Sequence, residues 1–223
     1  MLTVDSSQVS LLSKSTLRNY QQSNPGERYI ISIAGIPGAG KTTFASRVAE
    51  ELNKSVKTMV LPQDGFHLYR KELLQLPNPE EAVARRGAPF TFNANAFVEL
   101  ISKLNDPQYV QTTIKVPSFD HSVKDPVEDD IEIDPETKIV IIEGNYVSLK
   151  DPVWNDIEKY CNESWFIKVD LEEAALRLAN RHLESGIAQT LDEALERAKG
   201  SDYLNAQYIL ANSKNGNVLI NSK

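Results

Sequence analysis

Cysteine is almost absent: the 223 residues hold one, Cys161. An internal disulfide and a cysteine-built zinc cluster are thereby excluded, and a reducing compartment is implied. Long apolar runs are missing too. The longest aliphatic stretch, residues 139–142, falls far short of the ~18–20 residues that cross a bilayer, so no membrane association is expected. A basic surface is also lacking. The chain carries 24 Lys and Arg against 31 Asp and Glu, a net charge of −7, and nucleic acid is not an expected partner. An anionic ligand has to be met by a local pocket. The opening MLTVDSSQVS has neither the basic nor the apolar region of a secretory signal. Asp5 and the scarcity of Arg argue against a mitochondrial leader, which leaves the cytoplasm as the expected compartment.

What is present suffices for a full core: 41% of the residues are hydrophobic and 25% charged, an ordinary globular balance for one α/β domain. Residues 1–27 are polar and close on the turn signal NPGE. They read as an N-terminal extension, with Leu11, Leu12 and Leu17 along a short helix, ahead of a single domain over 28–223. In that domain 29–34 read as a buried strand, and apolar positions 44, 45, 48, 49 and 52 give the period of a helix. KTMVLP is a second strand, and 63–92 are irregular. Phe97, Leu100, Ile101 and Leu104 mark another helix face. One or two short strands follow, with an acidic run that reads as a solvated edge. KIVIIEG, SWFIKVD and NVLI are strands, and between the last two lie helices at 171–185 and about 190–211. Asp170 with Glu173 reads as a capping box at the start of the first. Alternating strands and helices of this length predict an α/β fold, a mostly parallel sheet with helices on both faces.

The first strand runs into GIPGAGKTT, in which Gly35, Ile36, Pro37, Gly38, Ala39, Gly40, Lys41 and Thr42 satisfy G-x-x-x-x-G-K-[ST]. Glycines let successive N–H groups turn inward onto phosphate oxygens, and the following helix adds its positive end. Lys41 reaches the outer phosphates, and Thr42, followed by Thr43, suits Mg²⁺. This predicts a P-loop NTPase fold that binds a nucleoside triphosphate, ATP in the kinase reading. The metal's second protein ligand should close another buried strand, where Glu143 stands. Neither N-K-x-D nor D-x-x-G occurs, which argues against a GTP switch. In LPQDGFH, Asp64 emerges at the end of the second strand, on the edge that carries the P-loop. A carboxylate there serves as general base for an attacking hydroxyl, while a plain Asp-Gly turn is the alternative.

GIPGAGKTT, PQDGFH, RRGAPFTF, PSFDHSVKDP and IIEGNYV, in this order, resemble the phosphoribulokinase/uridine kinase family. They are most similar to its uridine-kinase-like and fructokinase-like branch, which also resembles bacterial pantothenate kinase. The resemblance covers about residues 28–223. It implies ATP-dependent, Mg²⁺-assisted phosphorylation of a hydroxyl on a small molecule, most readily a nucleoside. A sugar or pantothenate-like acceptor, or a nucleotide-binding regulator without turnover, is the alternative, and a homodimer is compatible with it. By position, Asp64 would be the base, and Lys41, Thr42 and Glu143 would serve phosphate and metal. His67, Tyr69, Arg86 and His121 would line the acceptor pocket, although Tyr69 also suits packing and Arg85 with Arg86 also suits a solvated pair. Arg177 and Arg181, four apart on one helix face, would form a lid over the transferring phosphoryl group. Pairing of Arg177 with Glu173 is the plainer alternative. Asp202 and Asn205 would lie near the nucleotide base. Asn93 stands where many relatives carry Asp, so the set of hydroxyls bound there is expected to differ.

Overall fold

The computed structural model describes residues 1–120, 122–186 and 188–222. The elements run β1 (Leu2–Asp5), α1 (Val9–Gln21), β2 (Tyr29–Gly35), α2 (Lys41–Leu52), β3 (Thr58–Pro62), α3 (Arg70–Leu73), α4 (Pro79–Ala84) and α5 (Ala94–Asn105). Then come β4 (Ile114–Asp120), β5 (Asp125–Ile133), β6 (Ile139–Gly144), β7 (Glu163–Lys168), α6 (Leu171–Glu184), α7 (Leu191–Ala198), α8 (Ser201–Asn212) and β8 (Val218–Asn221).

Six strands form one sheet in the order β1-β8-β7-β2-β6-β3, and every pairing is parallel. Every residue of β2 and β6 is buried, as their unbroken apolar runs require of strands covered on both faces. From β2 the chain steps toward β3 through α2, and from β7 it steps the other way to β8 through α6, α7 and α8. Right-handed crossovers in opposite directions place α2 and α6–α8 on opposite faces. The sheet direction therefore switches at β2, and the carboxyl ends of β2, β6 and β3 open onto that point.

Residues 1–27 are not an extension. β1 pairs with β8 from Leu2↔Val218 to Asp5↔Asn221, and α1 buries Val9, Leu12, Ser13 and Thr16. Local sequence could not show this, because the partner strand lies at the far end of the chain. A buried carboxylate pins the helix: Glu163 on β7 accepts from Tyr29 Oη (2.8 Å), Trp165 Nε1 (2.8 Å), Asn19 Nδ2 (3.0 Å) and Thr16 Oγ1 (3.4 Å). Glu163→Leu strands these donors. It should cost about 3 kcal/mol, a fall in Tm of roughly 6–12 °C for a chain of this size. A melt shifted by less than about 2 °C would mean that desolvation of the charge cancels its hydrogen bonds.

Two further expectations change. The helix expected over about 190–211 is two, α7 and α8, broken at Gly200, whose ψ of −125° is not helical. The segment 63–92 contains α3, α4 and 3-10 turns at Gln63–Phe66 and Pro89–Thr91. The acidic run forms the outer part of β5, which pairs antiparallel with β4 in a separate two-stranded sheet. This hairpin seats on the Asp64 turn so closely that a Cβ on Gly65 would lie 2.2 Å from the Pro117 carbonyl oxygen.

Candidate active site

The sheet register brings the chemistry together. Glu143, at the end of β6, has Ile33 of β2 and Pro62 of β3 as its lateral partners. The P-loop leaves β2 two residues beyond Ile33, and Asp64 lies two residues beyond Pro62. Gly38 has φ +79°, and a Cβ there would stand 2.4 Å from the Ala174 carbonyl oxygen of α6. The loop thus needs glycine both for its turn and for its packing. α2 starts at Lys41 behind Gly40, which is left-handed at φ 83°.

Thr42 Oγ1 donates to Glu143 Oε1 at 2.9 Å. Glu143 is buried, and burial raises its pKa, with the nearby Lys41 charge opposing the rise. Lys41 Nζ donates to the Ile36 carbonyl oxygen at 3.1 Å and to Asn145 Oδ1 at 2.6 Å. Desolvation lowers the Lys41 pKa, and Glu143 and Asp64 oppose that shift.

Three openings meet around Thr42 and Thr43. One of about 270 Å³ lies over Gly38, Gly40, Lys41, Thr42 and Thr43 and is walled by Arg177, Leu178 and Arg181. A second, about 240 Å³, shares Gly40, Thr43 and Arg177 with it and extends to Arg47, Ser6 and Ser222. The third, about 190 Å³, lies on the other side of Thr42, between the carboxylates Asp64 and Glu143 and the hairpin residues Pro117, Ser118, Phe119 and Ile131. The first of these, lined by loop glycines, Lys41 and two arginines, suits phosphate groups.

The structure gathers Gly38, Gly40, Lys41, Thr42, Thr43, Asp64, Glu143, Arg177 and Arg181 around these openings. Gly35, Ile36 and Pro37 form the buried entry to the loop. Arg177 is divided: it pairs with Glu173 and donates to Ser222 Oγ at 2.7 Å, so Glu173 does not complete a capping box and Asp170 caps α6 alone. Arg181 has no ion-pair partner among the described residues, and its charge acts on Lys41 and Asp202. The Asp202 carboxyl is raised in pKa by burial, with Arg181 and His182 opposing.

Other expected site residues, on the acceptor side and, for Asn205, near the nucleotide base, have partners within the protein. Arg86 Nη2 donates to Asp125 Oδ1 (2.7 Å) and the Leu68 carbonyl (2.9 Å), and Nη1 donates to the Lys124 carbonyl. Its guanidinium lies 5.6 Å from the centre of the Phe119 ring, so it backs the hairpin wall of the third opening. Tyr69 Oη donates to Glu128 Oε1 at 2.6 Å, which pushes its pKa up to about 12, and it does not line the opening. His67 packs on Phe92 and Phe119 with ring centres 4.0 and 4.7 Å away, its Nδ1 donating to the Asp64 carbonyl at 2.8 Å. It steadies the turn. Asn93 caps α5, accepting from Ala96 N–H at 3.1 Å, and Asn205 holds Arg85 and the Gly87 carbonyl. His121, expected on the acceptor side, lies outside the described residues. Sequence reasoning missed Asn145 and Gln63, whose Oε1 accepts from Tyr146 N–H at 3.0 Å. Both stand beside motif residues, which was the available signal.

Across residues 30–181 the chain matches the Phosphoribulokinase / Uridine kinase family. It is 37% identical over 217 residues to a Schizosaccharomyces pombe protein provisionally named a uridine kinase, covering 95% of this chain and 90% of that one. It is 31% identical over 215 residues to the ATP-dependent kinase YFH7 of Zygosaccharomyces rouxii, covering 84% of this chain and 56% of the relative. A solved structure from Silicibacter, provisionally described as a fructose transport system kinase, superposes with a TM-score of 0.85 at 30% identity, over 95% of this chain and 98% of the other. The family match begins on the P-loop strand, takes in the Asp64 turn and ends at Arg181, well over half of the chain: this is an ATP-dependent P-loop kinase, a member of the phosphoribulokinase/uridine kinase family.

Proposed function

We propose that the protein transfers the γ-phosphoryl group of ATP to a hydroxyl of a small uncharged metabolite, with a nucleoside as the best-fitting acceptor. The observation that carries this reading is the opening beside the P-loop, which joins Asp64 to an apolar wall and has no Lys or Arg among the described residues that line it. Pro117, Phe119 and Ile131 supply the apolar surface against which a base or sugar can pack. The nearby guanidinium, Arg86, is already neutralised by Asp125. An acceptor carrying phosphate or carboxylate would therefore face uncompensated negative charge.

Thr42 and Glu143 present a hydroxyl and a carboxylate side by side, the hard oxygen donors that Mg²⁺ takes alongside substrate phosphates. A buried carboxylate also gains from a cation at its side. When bound, the ion would offset charge on the outer phosphates. The protein's own groups do the rest. Asp64 orients the acceptor hydroxyl and takes its proton as the oxygen bonds to the γ-phosphorus. The bond from that phosphorus to the β–γ bridging oxygen breaks, and ADP leaves. Lys41 and the loop N–H groups hold the phosphates, and Arg181 faces the charge that develops during transfer.

Measuring ATP consumption with a panel of nucleosides, sugars and vitamins tests the proposal. Turnover confined to an acceptor that carries phosphate or carboxylate would overturn it. Tight ATP binding with no turnover on any acceptor would favour a regulatory protein. Arg181→Ala should lower kcat by about tenfold or more while ground-state ATP affinity stays within about threefold, because the contact strengthens only in the transition state. Loss of affinity with kcat unchanged would place Arg181 in plain binding.

A further inference from the structure

The Lys41 ammonium carries three protons. Two are already directed, one at the Ile36 carbonyl oxygen (3.1 Å) and one at Asn145 Oδ1 (2.6 Å). Both acceptors are neutral. Glu143 and Asp64 stand close enough to act on the charge, yet among the described residues no carboxylate forms an ion pair with Nζ within 4.0 Å. One proton and the whole positive charge are left for a ligand. The tether itself is firmly mounted. Asn145 follows the buried strand β6, Glu143 two residues before it bonds Thr42, and the N–H of Tyr146 just after it is held by Gln63.

We propose that Asn145 is a positioning residue: a neutral tether that aims the P-loop ammonium at the outer phosphates without cancelling its charge. An amide suits this role where a carboxylate would not. Asp at this position would hold Nζ by charge as well as by hydrogen bond, and the triphosphate would have to compete for it. Alanine would leave the charge available but remove the tether, with the ammonium held by the Ile36 carbonyl oxygen alone. The two substitutions should therefore fail in different ways. The inference rests on the ATP site of the reading above and not on the acceptor.

Calorimetric titration with Mg-ATP, and the rate of acceptor-independent ATP hydrolysis, test it with no acceptor present. In Asn145→Asp the Kd for ATP should rise by about tenfold or more. In Asn145→Ala the Kd should stay within about threefold while hydrolysis slows by about tenfold or more, since the ammonium is no longer aimed. Asn145→Ser restores a neutral acceptor and should recover part of the rate, and it carries the test if the alanine variant does not fold. ATP affinity in Asn145→Asp equal to wild type would overturn the proposal. So would hydrolysis within about twofold of wild type in Asn145→Ala, or losses of rate and affinity that track Tm equally in both variants. A failed acceptor screen would leave both readouts intact, so the two ideas fall separately.

Discussion

Asp64→Asn is expected to bind ATP as the parent does and to lose phosphoryl transfer. The substitution keeps the shape of the side chain in the 3-10 turn after β3 and removes its charge and its proton-accepting oxygen. A positioned base contributes about 10²–10⁴-fold, equivalent to roughly 3–5 kcal/mol of barrier. The groups proposed to hold the phosphates lie on the other side of Thr42, around Lys41 and the loop glycines, so the Kd for ATP should move by less than about threefold. The fold should also tolerate the change, because the turn is anchored by His67 and Gln63 and not by the Asp64 carboxylate. The check is kcat with the acceptor found by screening, beside a calorimetric Kd for Mg-ATP. A rate within about tenfold of wild type would make Asp64 a turn residue, and the acceptor opening would lose its chemical centre.

Lys41→Met should have the second large effect, on the other substrate. The ammonium is the P-loop's one side-chain cation, partly buried and within the electrostatic reach of Glu143 and Asp64. Its removal takes away the cation of the loop itself and leaves the outer phosphates closer to net repulsion from those carboxylates. Loss of a preorganised electrostatic contact of this kind costs about 10²–10³-fold in kcat, and ATP affinity should fall with it. Stability should move the other way. Burial lowers the lysine's pKa, which means that the folded state disfavours the charge at neutral pH. A methionine of similar length fills the space without that cost, so Tm should hold or rise, a trade of function against stability. A melt lowered by several degrees, with ATP turnover retained, would refute both halves.

The parts of this molecule that were legible in the sequence are those whose chemistry is contiguous. β2, its glycine loop and α2 form one uninterrupted statement: a buried run, a turn only glycine permits, then helical spacing. Asp64 and Glu143 could be placed at the same edge because each closes a strand whose apolar run has a definite end. Contacts made across long stretches of chain were not legible. Nothing in LTVD announces a strand until β8 is there to pair with it, and nothing about Glu163 reveals four donors converging from α1, β2 and its own strand. Arg86 shows the same limit from the opposite side. Its position in the motif suggested a substrate contact, whereas Asp125, reached only when the hairpin folds back, engages the guanidinium. Asn145 stood in plain view beside Glu143, but its role depends on where the Lys41 ammonium comes to rest.

The hairpin of β4 and β5 shares no backbone ladder with the six-stranded sheet. It supplies the apolar wall of the opening proposed for the acceptor, whereas the opening over the P-loop is lined by the loop glycines, α2 and α6. Side chains at Ser118, Phe119 and Ile131 can therefore change in size or polarity without altering the register that sets Glu143 beside Ile33 and Pro62. The molecule is thereby open to change in two parts separately: an engine for handling ATP, held rigid by a buried sheet, and a wall that, on the proposed reading, is an exchangeable mould for whatever receives the phosphate. New acceptor preferences can arise by redrawing the mould, one hairpin residue at a time, while the engine runs on unchanged.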